Sequence, residues 1–214
     1  MQKESVRSIF IKSVAAGMLI GVGGIVYLSV DNKYVGAFLF SLGLFTIIQF
    51  GFSLFTGKVG YIVENKPQYI INVLITLAGN MCGTAITSLM VIPTHIYDNI
   101  HSAALAAVNS KMGDNLPGRM ILAFFCGMLM YIAVENAKQC KPKGNDMSLV
   151  FGTVMPVMVF IMCGFDHSIA DCFYVVSAGI SLRGILYLAV VALGNSVGGM
   201  AIPFMKKFFD GEKS

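Results

Sequence analysis

Charge is what this sequence has least of. Only 12% of its 214 residues are Asp, Glu, Lys or Arg, against about 25% in an average soluble domain. Positive residues are scattered rather than clustered, despite a net charge of +4, which speaks against nucleic-acid binding. The five cysteines (Cys82, Cys126, Cys140, Cys163, Cys172) form neither CxxC pairs nor a disulfide framework. Four of them sit in apolar runs and are expected to pack as small hydrophobes. No His/Cys/acid group has metal-ligand spacing, and no nucleophile constellation stands out, so a membrane enzyme is disfavoured and no cofactor is expected. No small-residue cleavage site follows the first apolar run, which therefore reads as a retained span.

What fills the sequence is hydrophobic residues, 56% of the total, with a mean hydropathy of +0.76. Six apolar segments follow one another. The first runs over about 8–30 and the second over about 34–63, interrupted at Thr56-Gly57-Lys58. The third covers about 70–92 and ends at Pro93. A polar stretch, 94–118, is long enough for a loop with a short surface helix in which His95 and His101 are expected to be solvated. The fourth covers about 119–137, the fifth about 147–178, and the sixth about 184–204. The chain is expected to be one transmembrane transport domain over 1–214, with no room for a second sizeable domain.

With six spans, both termini lie on one side. That side, with the second–third and fourth–fifth loops, holds eleven of the fifteen Lys and Arg residues, Lys3, Lys58 and Lys213 among them. The excess predicts cytoplasmic termini in a multi-pass protein of the cell (inner or plasma) membrane.

Ionisable residues inside the fifth run break its pattern. Cys163-Gly-Phe-Asp-His-Ser-Ile-Ala-Asp171 places Asp166, His167 and Asp171 where a charge costs roughly 2.5–3.5 kcal/mol at a lipid-facing helix centre. Such groups face a bundle interior or a water-filled path, and Gly164 marks a point where the helix can break. Landmarks also recur in order. Gly17-Met-Leu in the first span answers Gly127-Met-Leu in the fourth, and Gly79-Asn80-Met-Cys-Gly83 answers Gly194-Asn195-Ser-Val-Gly198. Three spans per half require the second half to be inverted, with halves over about 8–92 and 119–204. Inverted repeats with broken helices place a binding site near the midplane. The expected fold is thus all-α and integral to the membrane: six helices in an inverted 3+3 repeat, aquaporin-like, with the second and fifth spans interrupted.

Phe52-Ser-Leu54-Phe55-Thr56-Gly57, the segment around His167 and Gly194-Asn195-Ser-Val-Gly-Gly199 resemble the formate/nitrite transporter family, as do Gly17 and Cys126-Gly-Met-Leu-Met-Tyr-Ile-Ala133. The resemblance covers essentially the whole chain. It implies a homopentamer with a pore in each protomer, carrying a small monovalent anion such as formate, nitrite or hydrosulfide with the help of protons. It also places Thr56 on the loop interrupting the second span, opposite His167. Phe40 and Leu44 would form an outer apolar constriction, Leu54 and Phe160 a cytoplasmic one, and Asn195 would support the centre.

The physical logic stands beside the resemblance. A bare anion loses hydration expensively in a ring of Phe and Leu, whereas a weak acid can cross neutral if it finds a proton. His167 can relay that proton or only hydrogen-bond the substrate. Asp166 reads as a structural acceptor tying the break together. Two residues depart from the family pattern. Asp171 stands where Asn is common, and would pair with His167 or hold a proton. Lys58 stands where a neutral polar residue is common, and would capture anions or pair with Asp171 or Glu64. An aquaporin-like neutral-solute channel is the alternative, although the paired Asn-Pro-Ala motifs are absent.

Overall fold

The structure, a computed structural model, describes residues 4–211, so Lys3 and Lys213 of the charge asymmetry lie outside the described residues. The described residues form nine α-helices: α1 (Val6–Ser29), α2 (Lys33–Phe50), α3 (Phe55–Lys58), α4 (Tyr69–Val91), α5 (Tyr97–Lys111), α6 (Leu116–Cys140), α7 (Asp146–Met162), α8 (Ser168–Ser177) and α9 (Leu182–Gly211). A 3-10 turn over Val59–Glu64 extends α3. Five helices, α1, α2, α4, α6 and α9, are long and apolar enough to cross a membrane. The 24 residues of α1 reach about 36 Å at 1.5 Å per residue, enough for a hydrocarbon layer about 30 Å thick. The fifth apolar run is divided between α7 and α8, which are shorter.

Local chemistry sets these boundaries. Ser5, Asn32, Asn115 and Asn145 each cap a helix by accepting a backbone N–H with the side chain, which satisfies donors that have no partner within the helix. Gly51 closes α2 in the left-handed region (φ 66°), and Gly164 does the same after α7 (φ 69°), a conformation that penalises a side chain.

The break in the second run comes earlier than the sequence suggested. It spans Gly51–Leu54, and Thr56-Gly57-Lys58 lie inside α3. The reason is the Gly51 cap together with a side-chain clamp on residues 53 and 55, described below.

The helices pack most closely in the pairs α1–α4 and α6–α9. A Cβ at Gly17 would run into the Asn80 carbonyl, and one at Gly127 would run into the Asn195 carbonyl, so only glycine allows these backbones to meet. Two apolar clusters fill the interior. One gathers Phe40, Leu44, Leu54, Phe160 and Ile169; the other gathers Phe173, Tyr174, Tyr187 and Val191. The periphery is apolar too, with Leu42, Leu74, Leu89, Leu186 and Leu193 exposed, as befits a lipid-facing surface. Cys126 and Cys172 are buried as expected, whereas Cys82 and Cys163 are exposed in otherwise apolar surroundings. Helix α5 turns Ile100, Ala104 and Val108 inward at four-residue spacing and packs along α8 and α1.

Candidate functional site

Two short helices begin inside the molecule, and one asparagine holds each start. Asn80 of α4 accepts from Phe55 N–H (2.8 Å) and donates to the carbonyls of Ser13 (2.7 Å) and Ser53 (2.8 Å). Asn195 of α9 accepts from Ser168 N–H (2.9 Å) and donates to the carbonyls of Ala123 and Asp166, both at 2.8 Å. Both asparagines are fully buried, and these bonds use the amide's whole donor set. The residues so clamped are Leu54, which precedes α3, and His167, which precedes α8.

His167 caps α8 with its own ring: Nδ1 accepts from Ala170 N–H at 3.1 Å. That bond assigns the neutral tautomer with the proton on Nε2. Nε2–H then faces Thr56 Oγ1 at 3.0 Å and donates to it. Thr56 and His167, 111 positions apart in sequence, therefore meet at the junction of the two broken segments, buried at 0% and 1% exposure. A proton on Nδ1 and the Ala170 cap are mutually exclusive.

Apolar side chains surround this polar contact. The Phe160 ring stacks on the His167 ring (5.3 Å between centroids) and meets Phe40 edge-on (6.0 Å). Leu44 and Leu54 belong to the same buried cluster. Phe160 touches Phe40, and Leu44 and Leu54 together border a cavity of about 560 Å³. That cavity opens on the face where α1 begins and α9 ends, and Lys58, Lys138 and Lys141 stand around it. Lys58 donates to Ser53 Oγ at 2.8 Å, rather than pairing with Asp171 or Glu64.

On the opposite side of His167 lies a buried ionic group. Lys111, the last residue of α5, is 2.7 Å from Asp166 Oδ1 and 3.3 Å from Asp171 Oδ1. Tyr187 O–H donates to Asp171 Oδ2 at 2.8 Å. Asp171 thus pairs with Lys111 and Tyr187 rather than with His167, because its place on α8 turns it toward α5 and α9. Burial works against the Lys111 ammonium, but Asp171 and Asp166 outweigh it and raise its pKa above the usual lysine value. Asp166 also ties the break together through its backbone carbonyl, as expected, while its Oδ2 and Ser168 Oγ are buried without a partner among the described residues.

Several of these contributors were not singled out from the sequence. Lys111 sits 55 positions before Asp166 in what reads as a polar loop, and Tyr187 sits in an unremarkable apolar run. His101 was expected in solvent; instead it is half-buried and its Nδ1 donates to the Ser177 carbonyl (2.7 Å) at the far end of α8. Helix α5 thereby holds α8 at both ends. Asn80 had a legible signal, the shared Gly-Asn-x-x-Gly pattern with Asn195.

The sequence matches the model of the formate/nitrite transporter family over residues 1–209. It is 25% identical over 195 residues to the formate channel FocB of Escherichia coli (strain K12), covering 82% of this chain and 68% of FocB. It is 24% identical over 219 residues to the uncharacterized transporter YwcJ of Bacillus subtilis (strain 168), covering 90% and 84%. Among solved structures, a pentameric formate channel with formate bound superposes with a TM-score of 0.82 at 23% identity, covering 98% of both chains. A formate/nitrite-transporter-family ion channel superposes at 0.78 with 21% identity, covering 94% of this chain and 89% of its own. These neighbours are channels and transporters rather than enzymes. This multi-pass membrane protein belongs to the formate/nitrite transporter family.

Proposed function

We propose that the protein carries a small monovalent weak-acid anion, formate first and nitrite next, through a pore in each protomer. The observation that carries this reading is the Thr56–His167 contact, a polar pair buried against Phe160, which belongs to one apolar cluster with Phe40, Leu44 and Leu54. An anion driven into that apolar setting loses hydration and gains proton affinity, so it crosses most readily as the neutral acid. The N–H of His167 Nε2 is the donor it meets, with the Thr56 hydroxyl beside it.

The matching bonds of Asn80 and Asn195 and the matching glycines Gly17 and Gly127 support an inverted 3+3 repeat in which α2–α3 and α7–α8 are the two interrupted spans. The lysine excess on the terminal face supports cytoplasmic termini. The solved neighbour described as pentameric supports a homopentamer. On this reading Lys58 captures anions at the cytoplasmic mouth, and Asp171 belongs to the ionic group that anchors α8. If Lys58→Asn leaves transport unchanged at low anion concentration, capture by Lys58 is wrong.

The test is uptake into proteoliposomes across external pH, with formate, nitrite, hydrosulfide and glycerol as permeants and His167→Ala in parallel. Uptake of one anion that rises as external pH falls and disappears in the variant supports the proposal. Glycerol flux with no anion flux would move the protein to the neutral-solute class.

A further inference from the structure

A groove of about 470 Å³ runs beside the contact between α6 and α9. Met120, Ile121, Phe124 and Phe125 form one wall, Gly194 and Val197 the other, so every residue lining it is apolar. It faces outward, with Ile121 and Val197 each about half exposed. Gly194 leaves the gap in the α9 wall, where α9 comes too close to Ala123 of α6 for a side chain.

Two cations stand at the head of the same seam, on the face where α6 and α9 begin. Arg119 and Arg183 both donate to the Met112 carbonyl, at 3.3 and 2.9 Å. Among the described residues neither has a carboxylate within ion-pair distance, whereas Lys111 is spent on Asp166 and Asp171. Arg183 is exposed, and the Nε of Arg119 is buried without a partner among the described residues. Helix packing does not call for these charges. The seam of α1 and α4 is built on the matching glycines Gly17 and Gly79, and the positions corresponding to Arg119 and Arg183 there are Ile9 and Gln68. Arg183 precedes Gly194 by eleven residues, or three turns of α9, so the two share one face about 16 Å apart. That is the depth of one leaflet in a hydrocarbon core about 30 Å thick.

We propose that the groove and the two arginines form a binding site for a phospholipid with an anionic headgroup. Arg183 presents its guanidinium fork to the phosphate, within the field of Arg119. One acyl chain descends along α9 and fills the groove as far as Gly194. The chain gains little by leaving bulk lipid for protein of equal apolarity, so charge carries the preference and the groove fixes the position. The occupant braces the α6–α9 seam, where Asn195 donates to the Ala123 carbonyl, and so stabilises the folded protein.

The test is native mass spectrometry of the purified full-length protein, stripped of lipid and titrated with palmitoyl-oleoyl phosphatidylglycerol or with the phosphatidylcholine of the same chains. Phosphatidylglycerol should bind at one molecule per protomer, about tenfold more tightly than phosphatidylcholine. Arg183→Met should erase that preference, and Lys33→Met should leave it intact. Val197→Trp fills the groove with both arginines in place and should lower occupancy by either lipid. Both altered positions are exposed, so each variant should melt with the parent when lipid is absent, and phosphatidylglycerol should raise the melting temperature of the parent alone. If Val197→Trp unfolds early, Val197→Leu replaces it. Equal affinity for the two lipids, a preference that survives Arg183→Met, or occupancy that ignores a filled groove would overturn the proposal. The same spectra weigh the assembly: if filling the groove splits an oligomer and spares lipid occupancy, the groove seats a second copy of the chain and the lipid site is wrong. No flux is measured, so the result stands apart from the transport reading.

Discussion

Asn80 and Asn195 do the same work 115 positions apart: each accepts from the N–H that opens a short helix and donates to two carbonyls, one of them two residues before that N–H. Each side chain therefore fixes the residue between, Leu54 in one case and His167 in the other. Truncation would orphan the buried N–H and the carbonyl two residues before it, at about 1–3 kcal/mol each. Asn195→Ala should lower the thermal unfolding temperature in detergent sharply, and Asn80→Ala comparably. If either variant unfolds within a degree or two of the parent, the clamp is not what holds the break.

Thr56→Val keeps the volume and removes the hydroxyl that faces Nε2. It strands one buried donor, at about 1–3 kcal/mol. Formate flux should fall about tenfold or more while the purified protein keeps its size-exclusion profile, and Thr56→Ser should restore most of the flux. Equal flux in Val and parent proteins would dissociate the hydroxyl from transport.

Lys111→Met would leave Asp166 and Asp171 buried with no cation, a change that costs about 3–5 kcal/mol for a broken buried pair. The variant should express poorly or unfold early. Adding Asp171→Asn should recover part of the loss by removing one of the stranded charges. Asp171→Asn alone should cost less than Lys111→Met, since Lys111 keeps Asp166 and the amide oxygen still accepts from one of Tyr187 and Lys111. A silent Lys111→Met would show that the cation is dispensable.

Gly127→Val places a branched side chain against the Asn195 carbonyl where α6 meets α9. Overpacking at a backbone contact leaves no flexible neighbour to move. The variant should lose monodisperse protein on size exclusion, whereas Gly144→Ala, in an exposed turn with open space around it, should cost little beyond its positive φ.

Much of the site could be read from the chain because its chemistry is out of place there: His167 and Asp166 stand in an apolar run, and Gly164 breaks the helix beside them. The second break was misplaced because Thr56-Gly57-Lys58 carries the more conspicuous breaker composition, whereas the break depends on Gly51 and on Asn80, a residue in another helix. Lys111 and His101 were missed for a related reason. A polar helix outside the spans looks like solvent-facing loop until its partners on α8 are known, and those partners are set by tertiary packing alone.

The bond between Thr56 and His167 means that the centre of the molecule is already liganded by the molecule itself. Under the proposed role, a permeant does not enter an empty seat; it must displace an incumbent that is tethered in place and never diffuses away. Selection then works by exchange of partners, favouring species that can accept from Nε2 as the hydroxyl does. Without the hydroxyl no partner returns to Nε2 when the permeant leaves, so losing the incumbent costs throughput as well as discrimination.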